Sequence, residues 1–213
     1  MRDAWLVDFD GTISPDDIGA ALMRRFAVLR EGEARETLER WKAGVLSHRE
    51  LTEAECRRVV ATREEALTFA RTHPLDPEFA PFARAALSRG DAVMVVSEGF
   101  DFYVADLLAR AGLAGIPWAA NRARFEGSSL IPEFPHADPA CATCGNCKGQ
   151  HVRRHQARGY RVVVVGDGLS DRCAAKAADV VFARDQLLEW CRNEGLAARP
   201  FPGFAALTEA LAA

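Results

Sequence analysis

A formal net charge of −3 over 213 residues argues against a nucleic acid or an acidic membrane surface as partner. The 49% hydrophobic content supports a sizeable core, in one large domain or in a domain carrying a smaller insertion. No apolar run reaches membrane-spanning length, and the amino terminus leads into a strand in place of a cationic leader, so a soluble, cytoplasmic protein is expected.

The first predicted element is a buried strand through Trp5, Leu6 and Val7, closed by the charged turn Asp8, Phe9, Asp10, Gly11, Thr12. Alternation along an extended chain puts Asp8 and Asp10 on one side and Phe9 on the other. Two convergent carboxylates repel unless a cation or a proton lies between them. With a divalent metal screening an incoming anion, one can serve as nucleophile and the other as general acid and base. Taken alone, the same residues also suit an Asp turn or a helix N-cap.

From Asp16 to Thr72 the pattern is helical. Ser47 with Glu50 and Thr62 with Glu65 have capping-box spacing, and Ala66, Leu67, Phe69 and Ala70 recur at helical intervals. Phe26 and Trp41 are assigned to the core of this segment. Pro74 and Pro77 break it, and an amphipathic helix with Phe79, Phe82, Ala83, Ala86 and Leu87 follows, ending at Gly90. Ala92 to Val96 is a continuous apolar run leading to Ser97, the signature of a parallel strand covered on both faces. A helix over Tyr103 to Arg110, a strand over Ile116 to Ala120 and a turn-rich, hairpin-compatible stretch over Arg122 to Pro135 come next. Three of the chain's six cysteines, Cys141, Cys144 and Cys147, then crowd into one segment before a helix that opens at Lys148. Val162 to Val165 is the strongest strand signal and ends in Gly166, Asp167, Gly168. A helix from Ser170 to Ala178, a short strand from Val180 to Ala183 and two final helices complete the chain. Strands alternating with helices imply a doubly wound, Rossmann-like α/β fold, with the reactive crevice beyond the carboxyl ends of its parallel strands.

That topology delivers Asp8, Ser97 and Asp167 to one sheet edge. A serine hydroxyl and a lysine ammonium suit phosphoryl oxygens, and carboxylates suit a hard cation such as magnesium. Singly, Ser97 also reads as an N-cap, Lys148 as a solvated charge and Asp171 as a first-turn helix residue.

Together these four stretches resemble the motifs of the haloacid dehalogenase superfamily phosphatases, in family order and over nearly the whole chain: Asp8 to Thr12, Ser97, Lys148, and Gly166 to Asp171. The resemblance implies that Asp8 forms an aspartyl phosphate and that Asp10 serves as acid and base. It implies that Asp8, the Asp10 carbonyl and Asp167 hold Mg2+ with support from Asp171. It further implies that Phe9, Asp10, Ser97, Glu98 and Lys148 surround the phosphoryl group through side chains or backbone amides. Residues 1–13 and 75–213 would form the haloacid dehalogenase-like core, and residues 14–74 an inserted helical cap, as in the phosphoserine phosphatase-like branch. Gly99, Phe100, Asp101, Phe102 and Tyr103, the Pro135, His136 pair before the cysteines, and Phe182 to Leu188 bring the chain nearest the methionine-salvage phosphatases of a hydroxy-keto-methylthiopentenyl phosphate. Two positions depart from the pattern: Glu98 stands where glycine is usual, and Asp17 stands near the glutamate that binds the amine in phosphoserine phosphatases.

His136, Cys141, Cys144 and Cys147 also have the ligand count of a structural Zn2+ site, the alternative being reduced thiols in a loop. Cys147 immediately precedes Lys148, so whatever fixes that sulfur also fixes where the ammonium points. His151 and His155 are expected in solvent, and Cys56, Cys173 and Cys191 are expected as small buried hydrophobes. The expected function is a Mg2+-dependent phosphatase of a small phosphorylated metabolite. The alternatives are a phosphoserine phosphatase or phosphotransferase of the same superfamily and, from another class, a receiver-like phospho-acceptor module. The helical insertion and the order of the acidic residues favour the enzyme.

Overall fold

The computed structural model describes residues 2–28 and 32–212. At its centre lies β1 (Asp3–Val7), whose alternating side chains feed two cores: Trp5 and Val7 pack on one face, Ala4 and Leu6 on the other. This two-sided burial is why the strand reads as an unbroken apolar run. The other strands are β2 (Ala92–Phe100), β3 (Trp118–Glu126), β4 (Ser129–Glu133), β5 (Arg161–Gly166), β6 (Val180–Ala183) and β7 (Arg199–Pro200), and the sheet order is β4-β3-β2-β1-β5-β6-β7. All neighbours pair in parallel except β3 and β4, which form an antiparallel hairpin between Arg122 and Glu133. The expected doubly wound α/β architecture is therefore present.

Among the described residues, ten α-helices and a 3-10 turn at Leu169–Asp171 accompany the strands. Between β1 and β2 come α1 (Ile18–Phe26), α2 (Glu33–Lys42), α3 (His48–Cys56), α4 (Arg63–Ala70) and α5 (Phe79–Ser88). Ser47 and Thr62 form complete capping boxes with Glu50 and Glu65 at the starts of α3 and α4. Phe79 and Phe82 of α5 join Phe204 and Leu207 of α10 (Phe204–Ala212) over the Trp5 face of the sheet. Val152 of α7 (Lys148–Gln156) and Ala174 of α8 (Arg172–Ala177) cover the Leu6 face. The remaining two are α6 (Asp101–Arg110) and α9 (Asp185–Asn193).

Three local differences from the sequence expectations have physical causes. β2 runs past Ser97 to Phe100 because its register against β3 shifts between Val96 and Phe100, where Asn121 pairs with Phe100. β3 starts at Trp118, since Pro117 lends only its carbonyl to the Val95 amide. β7, two residues long, exists only through its pairing with Phe182 and Ala183 and has no pattern of its own.

Candidate active site

In register, Val7 stands between Val95 and Val165, so the residues just beyond, Asp8, Ser97 and Asp167, emerge side by side at the carboxyl edge where the sheet's winding reverses. The Asp8 amide still donates to the Val165 carbonyl at 2.9 Å, which fixes where its side chain departs. The turn after it depends on Gly11, which has φ of 78° and abuts Asp167 so closely that a Cβ would collide with that carboxylate. Thr12 donates to Asp167 Oδ1 at 2.8 Å, and the Arg184 guanidinium grips the Gly11 carbonyl from the far side of the turn.

Carboxylate oxygens of Asp8, Asp167 and Asp171 lie within 4.8 Å of one another. Lys148 runs among them almost fully buried, its Nζ 2.6 Å from both Asp8 Oδ1 and Asp171 Oδ1. One ammonium does not balance this group. Burial, then the charge of Asp171, pushes Asp8 well above the usual carboxylate range, and the same two causes raise Asp167 to about 6. Burial alone would lower Lys148, yet Asp171 and Asp8 outweigh it and keep the ammonium protonated well above the ordinary lysine value. The set is all oxygen, acidic and converging, as a small hard cation requires.

Asp10 points elsewhere. Its Oδ2 accepts from Tyr103 Oη at 2.8 Å and from Ser97 Oγ at 3.2 Å, and its Oδ1 accepts from the Ile18 amide at the start of α1. Burial and the nearby Asp17 charge raise it to about 7, against the opposing pull of those donors. A carboxyl poised there holds or releases a proton near neutrality. Gly99 is needed beside it, because a Cβ would strike both the Tyr103 hydroxyl and the Asp10 carboxylate.

Ser97, fully buried, accepts from the Gly99 amide at 2.8 Å as well as donating to Asp10. The Phe9 ring is buried in the core, and its amide donates to Asp8 Oδ1. Glu98 turns its carboxylate away from Asp8: Oε2 accepts from the Gly145 and Asn146 amides at 3.1 and 3.0 Å and from Asn121 Nδ2, with His48 of α3 at 3.3 Å. Although burial would raise Glu98, His48 and the Asn146 amide hold it below the usual glutamate range, so it anchors the loop before Lys148 as an anion. Asp17 is the exposed N-cap of α1, accepting from the Ala20 amide, and faces the same pocket as Asp8 and Asp10. The pocket's other wall comes from Met23 of α1 and from His48, Thr52 and Glu55 of α3.

The thiol group differs from the expected set. The sulfurs that come together are those of Cys141, Cys144, Cys147 and Cys173, within 4.8 Å of one another; His136 is not among them. Its ring lies against His151 with centroids 5.7 Å apart, and its carbonyl accepts from the Cys147 amide at 3.2 Å. Cys173 takes the fourth place because α7 and α8 pack together, a proximity that helical periodicity in α8 does not reveal. His151 is buried, not solvated, because Asn146 Oδ1 supplies a partner at 2.8 Å, while Asn146 Nδ2 donates to the Ser97 and Ala119 carbonyls. Phe26 packs edge-on against Phe69 as expected, whereas Trp41 is half-buried against His48 and borders a groove with Thr143 and Cys144. Asn121, Asn146 and His48 are polar residues of this region that no motif singled out. Tyr103 belongs to the stretch after Ser97 that carries the family resemblance, but its hydrogen bond to Asp10 has no counterpart in the sequence pattern.

The haloacid dehalogenase-like hydrolase family model matches residues 6–176. The 2-hydroxy-3-keto-5-methylthiopentenyl-1-phosphate phosphatase of Exiguobacterium sibiricum is 32% identical over 93% of this chain and 91% of its own length. The enzyme of the same name from Geobacillus kaustophilus is 34% identical over 96% and 93%. Among solved structures, a substrate-bound phosphoserine phosphatase complex superposes with a TM-score of 0.72 at 20% identity, covering 95% of this chain and 94% of that one. The phosphoserine phosphatase of T. onnurineus gives 0.71 at 17% identity, covering 99% and 94%.

Proposed function

Because the chain belongs to the haloacid dehalogenase-like hydrolase family and is a phosphoric monoester hydrolase, we propose that it cleaves 2-hydroxy-3-keto-5-methylthiopentenyl-1-phosphate through an aspartyl phosphate on Asp8. The observation that carries this reading is the Asp8 carboxylate at the floor of a pocket, 2.6 Å from a Lys148 ammonium that Asp171 holds in place. Asp8 Oδ attacks phosphorus as the bond to the ester oxygen breaks, and Asp10 gives that oxygen its proton. Asp10 then takes a proton from water, which attacks phosphorus and frees Asp8 and inorganic phosphate. Lys148, the Ser97 hydroxyl and the amides of Phe9, Asp10 and Glu98 orient the phosphoryl oxygens; for Ser97 this requires its hydroxyl to leave Asp10 when substrate arrives.

Phosphatases of this family generally use magnesium, and the donor set suits it. Asp8, Asp167 and the Asp10 carbonyl would hold the ion, with Asp171 close enough to support it. When bound, the ion neutralises the carboxylates and screens the anionic ester. Residues 14–74 act as a cap over the core of 1–13 and 75–213, supplying the pocket wall from α1 and α3 that touches the organic part of the substrate.

Substrate choice rests on the relatives' activity and on that wall. Among the described residues its lining includes no arginine or lysine to receive the carboxylate of phosphoserine, while Met23 offers a thioether surface. A second reading, phosphoserine, is favoured by Asp17 and Glu55, which suit an ammonium group. Phosphate release from both esters with magnesium separates them: a kcat/KM at least about 100-fold higher for the methylthiopentenyl ester is expected, about 2.7 kcal/mol of transition-state discrimination. Equal or reversed preference overturns the assignment.

A further inference from the structure

We propose that Cys141, Cys144, Cys147 and Cys173 bind one zinc ion as a tetrahedral thiolate site that braces the starts of α7 and α8. Zinc with four sulfurs at about 2.3 Å has tetrahedral edges of about 3.8 Å. The Cys144 and Cys173 sulfurs are 3.6 Å apart, and all four lie within 4.8 Å of one another. That spread fits a single ion, and it is far wider than the roughly 2.0 Å of a disulfide; all four cysteines are free thiols here.

The surroundings suit a site of net negative charge. Cys147 is the N-cap of the nine-residue α7, where the helix dipole favours a thiolate. The Thr143 hydroxyl lies 3.4 Å from the Cys141 sulfur and 3.7 Å from that of Cys144, and Arg49 of α3 donates to the Cys141 carbonyl at 3.1 Å. Such hydrogen bonds orient ligands and spread their charge. Three ligands come from one loop and the fourth from a helix reached only through β5, so the ion would fasten two distant stretches of chain.

Those stretches carry the buried pair. Cys147 adjoins Lys148, Cys173 lies two residues past Asp171, and Lys148 Nζ is 2.6 Å from Asp171 Oδ1. The cysteines are positioning residues, and this part of the inference rests on the proposed role of Lys148 in binding phosphate.

Metal analysis of full-length protein purified without chelator tests the site independently of activity. One zinc per chain is expected, lost in Cys173→Ser and kept in Cys191→Ser, whose residue on α9 is buried with Val181, Ala183 and Leu187 and is not among the four converging sulfurs. Should Cys173→Ser fail to fold, cobalt exchanged into the wild-type protein decides: intense thiolate charge-transfer and tetrahedral d–d bands are expected. Removing zinc should raise the inhibition constant of inorganic phosphate by about 10–100-fold, while leaving half-saturation by magnesium within about twofold. Added zinc, and not added magnesium, should reverse the effect. Zinc-free wild-type protein that takes up no zinc or cobalt, full zinc in Cys173→Ser, or a cobalt spectrum without sulfur charge transfer overturns the site. Unchanged phosphate inhibition after zinc loss overturns the bracing role.

Discussion

Carboxylate oxygens of Asp8, Asp167 and Asp171 converge within 4.8 Å, and so do the sulfurs of Cys141, Cys144, Cys147 and Cys173, yet the two groups are built for opposite purposes. The oxygen group reaches a pocket through Asp8 and has three carboxylates to the single ammonium of Lys148, and burial with the charge of Asp171 raises Asp8 and Asp167 above the usual carboxylate range. Such a group gains from a bound hard cation. The sulfur group has Cys144 and Cys147 buried and Cys141 and Cys173 half-buried, and its soft donors suit an ion that stays. Because Cys147 precedes Lys148 and Asp171 lies two residues before Cys173, chemistry and bracing are separated by a residue or two of the same helix starts. With zinc bound as proposed, rigidity at the oxygen site would be supplied from outside it, leaving its own charge free to work.

The largest effect expected on this comparison is from Asp8→Asn, which keeps shape but removes the proposed nucleophile; turnover should drop to the detection limit with an unchanged circular dichroism spectrum. Asp10→Asn should lower kcat by about 10²–10⁴-fold. Wild-type kcat/KM should also show an alkaline limb near pH 7, since Asp10 loses its proton as pH rises through about 7, and the variant should lack that limb. Asp167→Ala should raise the magnesium needed for half-maximal rate by at least about 10-fold, measured in metal titrations, with calcium inhibiting because it prefers more ligands and looser geometry.

Stability provides a smaller, signed effect. Asp167 and Asp10 have folded values of about 6 and about 7 against an ordinary 3.8, so the folded state holds more protons than the unfolded chain over that interval. Their contribution therefore turns against folding as pH rises from 3.8 to about 7, and magnesium should offset it at Asp167. Thermal melts of metal-free protein should show this as a decline that Asp167→Asn reduces, each kcal/mol appearing as about 2–4 °C. The smallest effect is at His48. Burial lowers its pKa, but Glu98 raises it further, so its hold on Glu98 is complete below 6.5 and fades as pH rises past its folded value. Glu98, held below 4.5, keeps its own contribution until pH falls through that lower value. His48→Gln should therefore lower Tm by about 2–4 °C at pH 6 and by less at pH 8.5.

The oxygen group was legible because strand ends announce themselves. Trp5 to Val7, Ala92 to Val96 and Val162 to Val165 are apolar runs packed on both faces, and each leads within two residues to a polar side chain that a parallel sheet must place at one edge. The capping boxes at Ser47 and Thr62 were legible for a similar local reason. Cys173 was not, since a cysteine inside a helical pattern looks the same whether it meets a core or three other sulfurs. His151 and Asn146 escaped for a related reason: a polar residue reads as exposed until its buried partner is known, and here each partners the other. Trp41 reads as core by type, but α2 buries none of its residues.

The nucleophile is tested most directly by acid-quenching the protein during turnover with substrate and magnesium, reducing acyl phosphates with borohydride, and sequencing the peptides by mass spectrometry. An aspartyl phosphate reduces to homoserine, so homoserine is expected at position 8 and nowhere else, and absent in Asp8→Asn. Homoserine at another aspartate, or steady phosphate release from Asp8→Asn, would contradict the assignment of Asp8.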